Sequence, residues 1–141
     1  MERNGKCLCG TVSFVATDPD PKLGACHCSM CQHWTGSALV TATVKHGAMQ
    51  IDGTEHLTHF KSSDWAERAF CSKCGSGLYY EVTAPGKHHG MRYVPVGLFD
   101  DIDGMKLEHE IFYDKRLKAF SFSNETKKMT EAEVMALFGD G

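Results

Sequence analysis

The chain has 141 residues, of which 42% are hydrophobic and 23% charged, and a formal net charge of −3; this is the make-up of a globular protein of one domain spanning 1–141. The charge excludes a general nucleic-acid surface, which needs clustered positive charge. No apolar run nears the roughly 20 residues that span a bilayer, so no membrane partner is expected.

No apolar stretch follows Met1-Glu2-Arg3-Asn4-Gly5-Lys6, so no secretory signal is read and a reducing, cytoplasmic setting is expected. Residues 11–17 alternate and predict a strand, closed by the turn-rich Asp18-Pro19-Asp20-Pro21. Residues 37–45 are rich in Val and Thr and predict a second strand. Residues 49–51 predict a short third, ended by the hairpin-type turn Asp52-Gly53. Further short strands are expected over 56–61, 67–70, 77–82, 92–96 and 109–112. Many short strands with Gly-rich turns predict a mainly β fold. The basic stretches Asp114-Lys115-Arg116-Leu117-Lys118 and Lys127-Lys128 read as solvated surface. Near the end, Thr130-Glu131-Ala132-Glu133 is a capping box and predicts a short helix over about 130–138. Val134, Leu137 and Phe138 fall on its apolar face, and Gly139 is its expected stop.

The chemistry lies in seven cysteines grouped in three clusters: Cys7 and Cys9; Cys26, Cys28 and Cys31; Cys71 and Cys74. These are ligand spacings, and an odd count in a reducing compartment argues against a disulfide framework. The pairs Cys7/Cys9 and Cys71/Cys74 lie far apart in sequence but can meet in space and complete a zinc tetrahedron. The glycine after the Cys71–Cys74 knuckle permits the positive φ that such a turn needs. Metal binding free energy at a site of this kind is folding free energy. The dense triplet can converge on one ion alone and leave a fourth position open, which is the usual form of a catalytic zinc site. A thiol in that position is deprotonated, and its sulfur can attack an aldehyde carbonyl. His27 sits between two ligands, so a hydrogen bond to backbone is expected for its ring in preference to ligation or proton relay.

The order Gly5-Lys6-Cys7-Leu8-Cys9-Gly10, Cys26-His27-Cys28-Ser29-Met30-Cys31, and Arg68-Ala69-Phe70-Cys71-Ser72-Lys73-Cys74-Gly75-Ser76, with Ser62-Ser63 ahead of the last, resembles the glutathione-dependent formaldehyde-activating enzyme family. That family includes centromere protein V-like proteins. The resemblance covers about residues 5–122. It implies a β-tent fold of short antiparallel strands stapled by two zinc ions per chain. It implies a structural zinc on Cys7, Cys9, Cys71 and Cys74 and a catalytic zinc on Cys26, Cys28 and Cys31. The implied reaction is that of a carbon–sulfur lyase: glutathione and formaldehyde join to form S-hydroxymethylglutathione. The chain departs from the family where a Trp usually follows a histidine like His109; the comparable place holds Phe120.

Other side chains receive more ordinary expectations. Trp34 reads as core rather than as a pocket platform with Gly36 and Ser37. Arg68 reads as an ion pair or backbone clamp beside the Cys71–Cys74 knuckle rather than a substrate anchor. His88-His89 reads as a solvated loop, and His46, His56 and His59 lack ligand spacing. The partners expected are a small-molecule thiol and a small aldehyde, with no nucleic acid and no membrane; the oligomeric state is left open. Two other classes compete with the enzyme. One is a zinc-stabilised module that binds a protein or thiol without turnover. The other is a zinc-knuckle chromatin factor, which the missing basic stripe disfavours.

Overall fold

The computed structural model describes residues 1–139, with side chains through Leu137. Eleven strands are present among them: Glu2–Lys6 (β1), Ser13–Thr17 (β2), Lys22–Cys26 (β3), Leu39–Val44 (β4), Met49–Asp52 (β5), Leu57–Lys61 (β6), Ala66–Cys71 (β7), Gly77–Val82 (β8), Arg92–Pro95 (β9), Lys106–Ile111 (β10) and Lys127–Lys128 (β11). Two helices accompany them, Ser29–Thr35 (α1) and Glu131–Gly139 (α2). The fold is mainly β, as expected, and no helix among the described residues is long and apolar enough to cross a membrane.

The strands form two sheets. One has the order β1-β2-β5 and the other β11-β10-β3-β4-β9-β8-β7-β6. A single apolar cluster joins them, with Val12, Phe14 and Ala16 from the small sheet's side meeting Ala25, Ala42, Val44, Leu78 and Val94 of the large one. Phe14 meets Phe99 edge to face at 5.4 Å. Fully burying side chains of this size contributes roughly 1.5–3 kcal/mol each. Strand β2 shows the period-2 alternation that its sequence predicts, Phe14 and Ala16 in and their neighbours half out.

Not all strands are antiparallel. β10 runs parallel to both β3 and β11. The Asp52-Gly53 turn is not a hairpin either: β5 pairs with β2, and β6 pairs with β7 in the other sheet. Gly53 instead opens a 3-10 turn, Thr54–His56, that carries the chain from one sheet to the other.

Four elements escape the pattern reading, among them the two-residue β11, whose lysines read as solvated surface but pair with β10. β1 has no apolar alternation and exists because its backbone pairs with β2, from Glu2↔Thr17 to Lys6↔Ser13. β3 is broken in sequence by Gly24, yet a glycine is required there because the His109 ring occupies the place of a Cβ. α1 is hidden by the cysteine motif: Cys28 is its N-cap, with its sulfur accepting the Cys31 N–H at 3.3 Å, and Gly36 caps the other end through Gln32 O at 2.7 Å.

The capping box of α2 is formed on both sides, Glu133 N–H to Thr130 Oγ1 at 3.3 Å and Thr130 N–H to Glu133 Oε1 at 3.0 Å. Val134 is buried at 3% exposure, as the face predicts, but Leu137 is 49% exposed. The described helix meets the rest of the fold along only part of the predicted stripe. The side chain of Phe138 and the stop at Gly139 lie outside the described residues.

Candidate metal centres and cavity

Cys7 follows the end of β1 and Cys71 is the last residue of β7, so two sheets deliver the two halves of one cluster. The sulfurs of Cys7, Cys9, Cys71 and Cys74 all lie within 4.8 Å of one another. Cys7 and Cys9 are 3.7 Å apart, and Cys9 and Cys71 3.8 Å. Zn–S bonds of about 2.3 Å in a tetrahedron give edges of about 3.8 Å, so the four thiols fit zinc as they stand. Gly10 and Gly75, with φ of 79° and 80°, turn the chain sharply after each ligand pair. Their amides bond back to Cys7 O at 3.1 Å and Cys71 O at 2.8 Å. The Ser76 hydroxyl and amide and the Cys9 amide bring the Cys74 thiol down to about 5, and Thr11 lowers that of Cys9. Burial pushes Cys71 up.

Cys26 ends β3, Cys28 caps α1 and Cys31 lies in its first turn. Their three sulfurs also lie within 4.8 Å of one another, and all three residues are buried. Contacts with the Cys26 and Cys31 thiols, then the Cys31 amide and the Arg68 charge, bring Cys28 down to about 2 against the opposing effect of burial. Its two neighbours move the other way. The contacts with Cys28 and Cys31, with burial, push Cys26 far up. Contact with Cys26 pulls Cys31 down, but the Cys28 thiolate and burial outweigh it and carry Cys31 up to about 11. One proton therefore leaves easily, and the other two leave only if a cation takes their place. Three thiolates beside one guanidinium sum to −2, the charge that one divalent ion cancels.

Arg68 on β7 is the guanidinium in question. It is 5% exposed, with Nη1 and Nη2 at 3.7 Å and 3.6 Å from Cys31 Sγ. The rings of Trp34 and Tyr80 flank it at 4.8 Å and 5.1 Å. It is thus an ion-pair residue, but its partner is the triplet and not the Cys71–Cys74 knuckle. Trp34 is half-buried against this cluster, and a Cβ on Gly77 would fall 2.5 Å from its ring. Neither Trp34 nor Gly36 nor Ser37 lines the cavity described below.

His27 takes neither a ligand role nor a backbone partner for its ring. Nε2 pairs with Glu110 Oε1 at 2.7 Å, both side chains being buried. Its backbone is fixed as well, its N–H to Ile111 O at 3.1 Å and its carbonyl receiving Gln32 Nε2 at 2.8 Å. Glu110 receives Thr126 Oγ1 at 2.5 Å and lies 4.0 Å from Lys128 Nζ, so Lys128 is more than solvated surface. Burial pushes the Glu110 carboxyl up, but the hydrogen bonds from Thr126 and His27 and the nearby charges bring it below the ordinary range. Nothing in the sequence marks Glu110, because its partners are Thr126 just ahead of β11, Lys128 on it, and His27 in the cysteine motif.

The triplet and Arg68 border a cavity of about 230 Å³. Tyr80 and Tyr93, opposite one another on β8 and β9, stack at 4.4 Å and 14° along its side. Burial, then the nearby thiols, keeps both phenols protonated. Phe112 reaches the cavity from a left-handed backbone position, φ 55°, which a bulky residue adopts at a cost. Val134 and Met135 of α2 complete the wall. The sequence hides both the tyrosine pair and Phe112, since strand register and backbone sign bring them here. Phe120 is 40% exposed and meets Phe122 rather than the cavity, whose aromatic lining is Trp65, Tyr80, Tyr93 and Phe112. His89 is exposed, as expected, with Nδ1 3.1 Å from Thr83 O; His88 is half-buried.

The model of the family described as glutathione-dependent formaldehyde-activating enzyme matches residues 2–115. An uncharacterized lyase of Schizosaccharomyces pombe (strain 972) is 31% identical over 134 residues, 95% of each chain. A Rhodobacter sphaeroides protein of known crystal structure shares the fold, with a TM-score of 0.57 at 18% identity over 90% of this chain and 99% of that one. The family match runs through all seven cysteines and most of the chain, and the relative aligns over nearly the whole of both chains: the chain belongs to the glutathione-dependent formaldehyde-activating enzyme family.

Proposed function

We propose that the protein is a zinc-dependent carbon–sulfur lyase that joins a thiol, glutathione, to a small aldehyde, formaldehyde, giving S-hydroxymethylglutathione. The observation that carries this reading is the contrast between the two clusters. Four sulfurs gather within 4.8 Å of one another, the number that a closed zinc tetrahedron takes, while three buried sulfurs border a cavity large enough for a substrate. In this reading Cys7, Cys9, Cys71 and Cys74 hold a structural zinc, and Cys26, Cys28 and Cys31 hold a catalytic one. The family and the lyase name of the yeast relative support an enzyme of the lyase kind.

Cys26, Cys28 and Cys31 would hold the zinc, which when bound would supply a Lewis acid able to lower the pKa of a substrate thiol. The protein's own groups do the rest. Arg68 balances the thiolate charge and fixes Cys31 through two N–H donors. The His27–Glu110 pair holds the loop that carries Cys26 and Cys28. Tyr80 and Tyr93 present two protonated phenols beside the thiols, where they donate to the aldehyde oxygen as negative charge grows on it. The C–S bond forms, the carbonyl π pair moves to oxygen, and the thiol's proton ends there, with no change of oxidation state. We assign all of this to one domain over 1–141 in a reducing, cytoplasmic compartment, the setting that keeps seven thiols free for metal.

The test is the rate of glutathione–formaldehyde condensation with zinc-loaded protein, over the unaided rate. Acceleration that Cys28→Ser abolishes supports the reaction and its site together. Two bound zinc ions without acceleration would overturn the catalytic reading and leave a binding module.

A further inference from the structure

The cavity is the wrong size and polarity for formaldehyde alone. Formaldehyde has two non-hydrogen atoms and needs little more than the roughly 30 Å³ that a water molecule occupies. Most of the 230 Å³ is left over. An apolar cavity of about 150 Å³ is already enough for a benzene ring. Glutathione does not fill the remainder well. It carries two carboxylates and an ammonium, and burying these without partners is costly. Among the described residues Arg68 is the one charged side chain that lines the cavity, and its guanidinium is committed to Cys31 between two rings. Apart from the thiols, the phenols and Arg68, the lining is carbon: Val82, Ile111, Phe112 and Val134 within, and the exposed Trp65 and Met135 at the mouth.

The wall formed by α2 points the same way. Val134 and Met135 lie outside residues 2–115, the segment that the family model matches. The helix is nevertheless fixed in place by its capping box, by Glu131 N–H to Asp114 Oδ1 at 2.8 Å, and by the Lys115–Glu131 ion pair at 3.4 Å. The helix therefore adds an apolar wall to the cysteine site.

We propose that the cavity seats an apolar group of the substrate, so that the preferred electrophile is an aldehyde bearing an alkyl or aryl substituent, with Val134 and Met135 setting its size. This rests on the thiol–aldehyde reading above. The charged ends of the thiol stay outside the mouth while its sulfur reaches the triplet. The bond changes are the same: C–S forms, the carbonyl pair goes to oxygen, and the thiol's proton follows.

The experiment uses the zinc-loaded full chain, glutathione, and straight-chain aldehydes from formaldehyde to hexanal, each rate divided by its own unaided rate. That acceleration should rise at least ten-fold from formaldehyde to hexanal, since one methylene in an apolar pocket is worth about ten-fold or more. Met135→Asp should cut the hexanal-to-formaldehyde ratio at least five-fold. Separately, hexan-1-ol, which cannot react, should shift the methyl NMR signals of Ile111, Val134 and Met135 saturably. Acceleration of formaldehyde with no gain for hexanal and no methyl shifts would overturn the apolar subsite and spare the reaction. Saturable shifts without acceleration of any aldehyde would keep the subsite and overturn the reaction. If neither is seen, both fall.

Discussion

Removing one ligand from each cysteine cluster should have unequal effects on stability. The four-cysteine cluster clamps Cys9 to Cys71, 62 positions apart, and ties the end of β1 in one sheet to the end of β7 in the other. Treated as a cross-link, a loop of that length restrains the unfolded chain by about 4 kcal/mol. The triplet spans only Cys26 to Cys31, and the same relation gives about 2 kcal/mol. All three triplet sulfurs sit in one local turn, so the sheets do not depend on them. For a chain of this size 4 kcal/mol corresponds to a fall of roughly 8–16 °C in Tm, and 2 kcal/mol to about half of that. Both Cys71 and Cys28 are buried, so a serine at either place carries a similar penalty for its hydroxyl, and the difference isolates the cross-link. The assay is thermal unfolding by circular dichroism with metal content measured on the same samples. The parent should bind two zinc ions, Cys71→Ser and Cys28→Ser one tightly each, with Cys71→Ser losing about twice as much Tm. Equal losses, or two tightly bound ions in either variant, would refute the division of the cysteines.

The lowered pKa of Cys28 means that its thiolate survives as pH falls, so metal-free protein should be alkylated at Cys28 by iodoacetamide at pH 5 nearly as fast as at pH 7. Arg68→Met, which removes the nearby positive charge that helps lower it, should make the rate fall off more steeply toward acid; an unchanged pH profile would remove Arg68 from this role. Glu110 has a folded pKa below its unfolded value, so its stabilisation is complete above about pH 4.5 and is lost as pH falls through the folded value. Glu110→Gln should lower the urea midpoint at pH 7 and flatten its decline between pH 5 and 3; a parallel decline in both proteins would contradict this. Thr130→Ala should cost about 1 kcal/mol of helix stability. Its readout is faster amide exchange over residues 131–137, with the rest of the chain unaffected, and uniform exchange would show that α2 does not move as a separate wall.

Much of the metal chemistry is written in local sequence. Ligand spacing and the glycines after the knuckles are properties of a few adjacent residues, and the structure groups the seven sulfurs as four and three, the division their spacing suggests. The same holds for β2, whose alternation is visible in isolation, and for the Thr130–Glu133 capping box, whose two bonds span three residues. These features arise from interactions within one turn or one strand, which the chain carries wherever it folds.

The surroundings of the triplet arise differently. Arg68 reaches Cys31 from 37 positions away, and His27 meets Glu110 across 83. Tyr80 and Tyr93 stack because β8 and β9 pair in one register, and a slip of one residue would put the phenols on opposite faces. β3 forms only because β4 and β10 flank it, and Gly24 leaves room there for the His109 ring. The sequence by itself therefore determined which sulfurs can serve as ligands and how they group. Tertiary structure alone decided what charge, which donors and which apolar wall those ligands face, because each of these is a contact between strands or helices whose pairing no local pattern encodes.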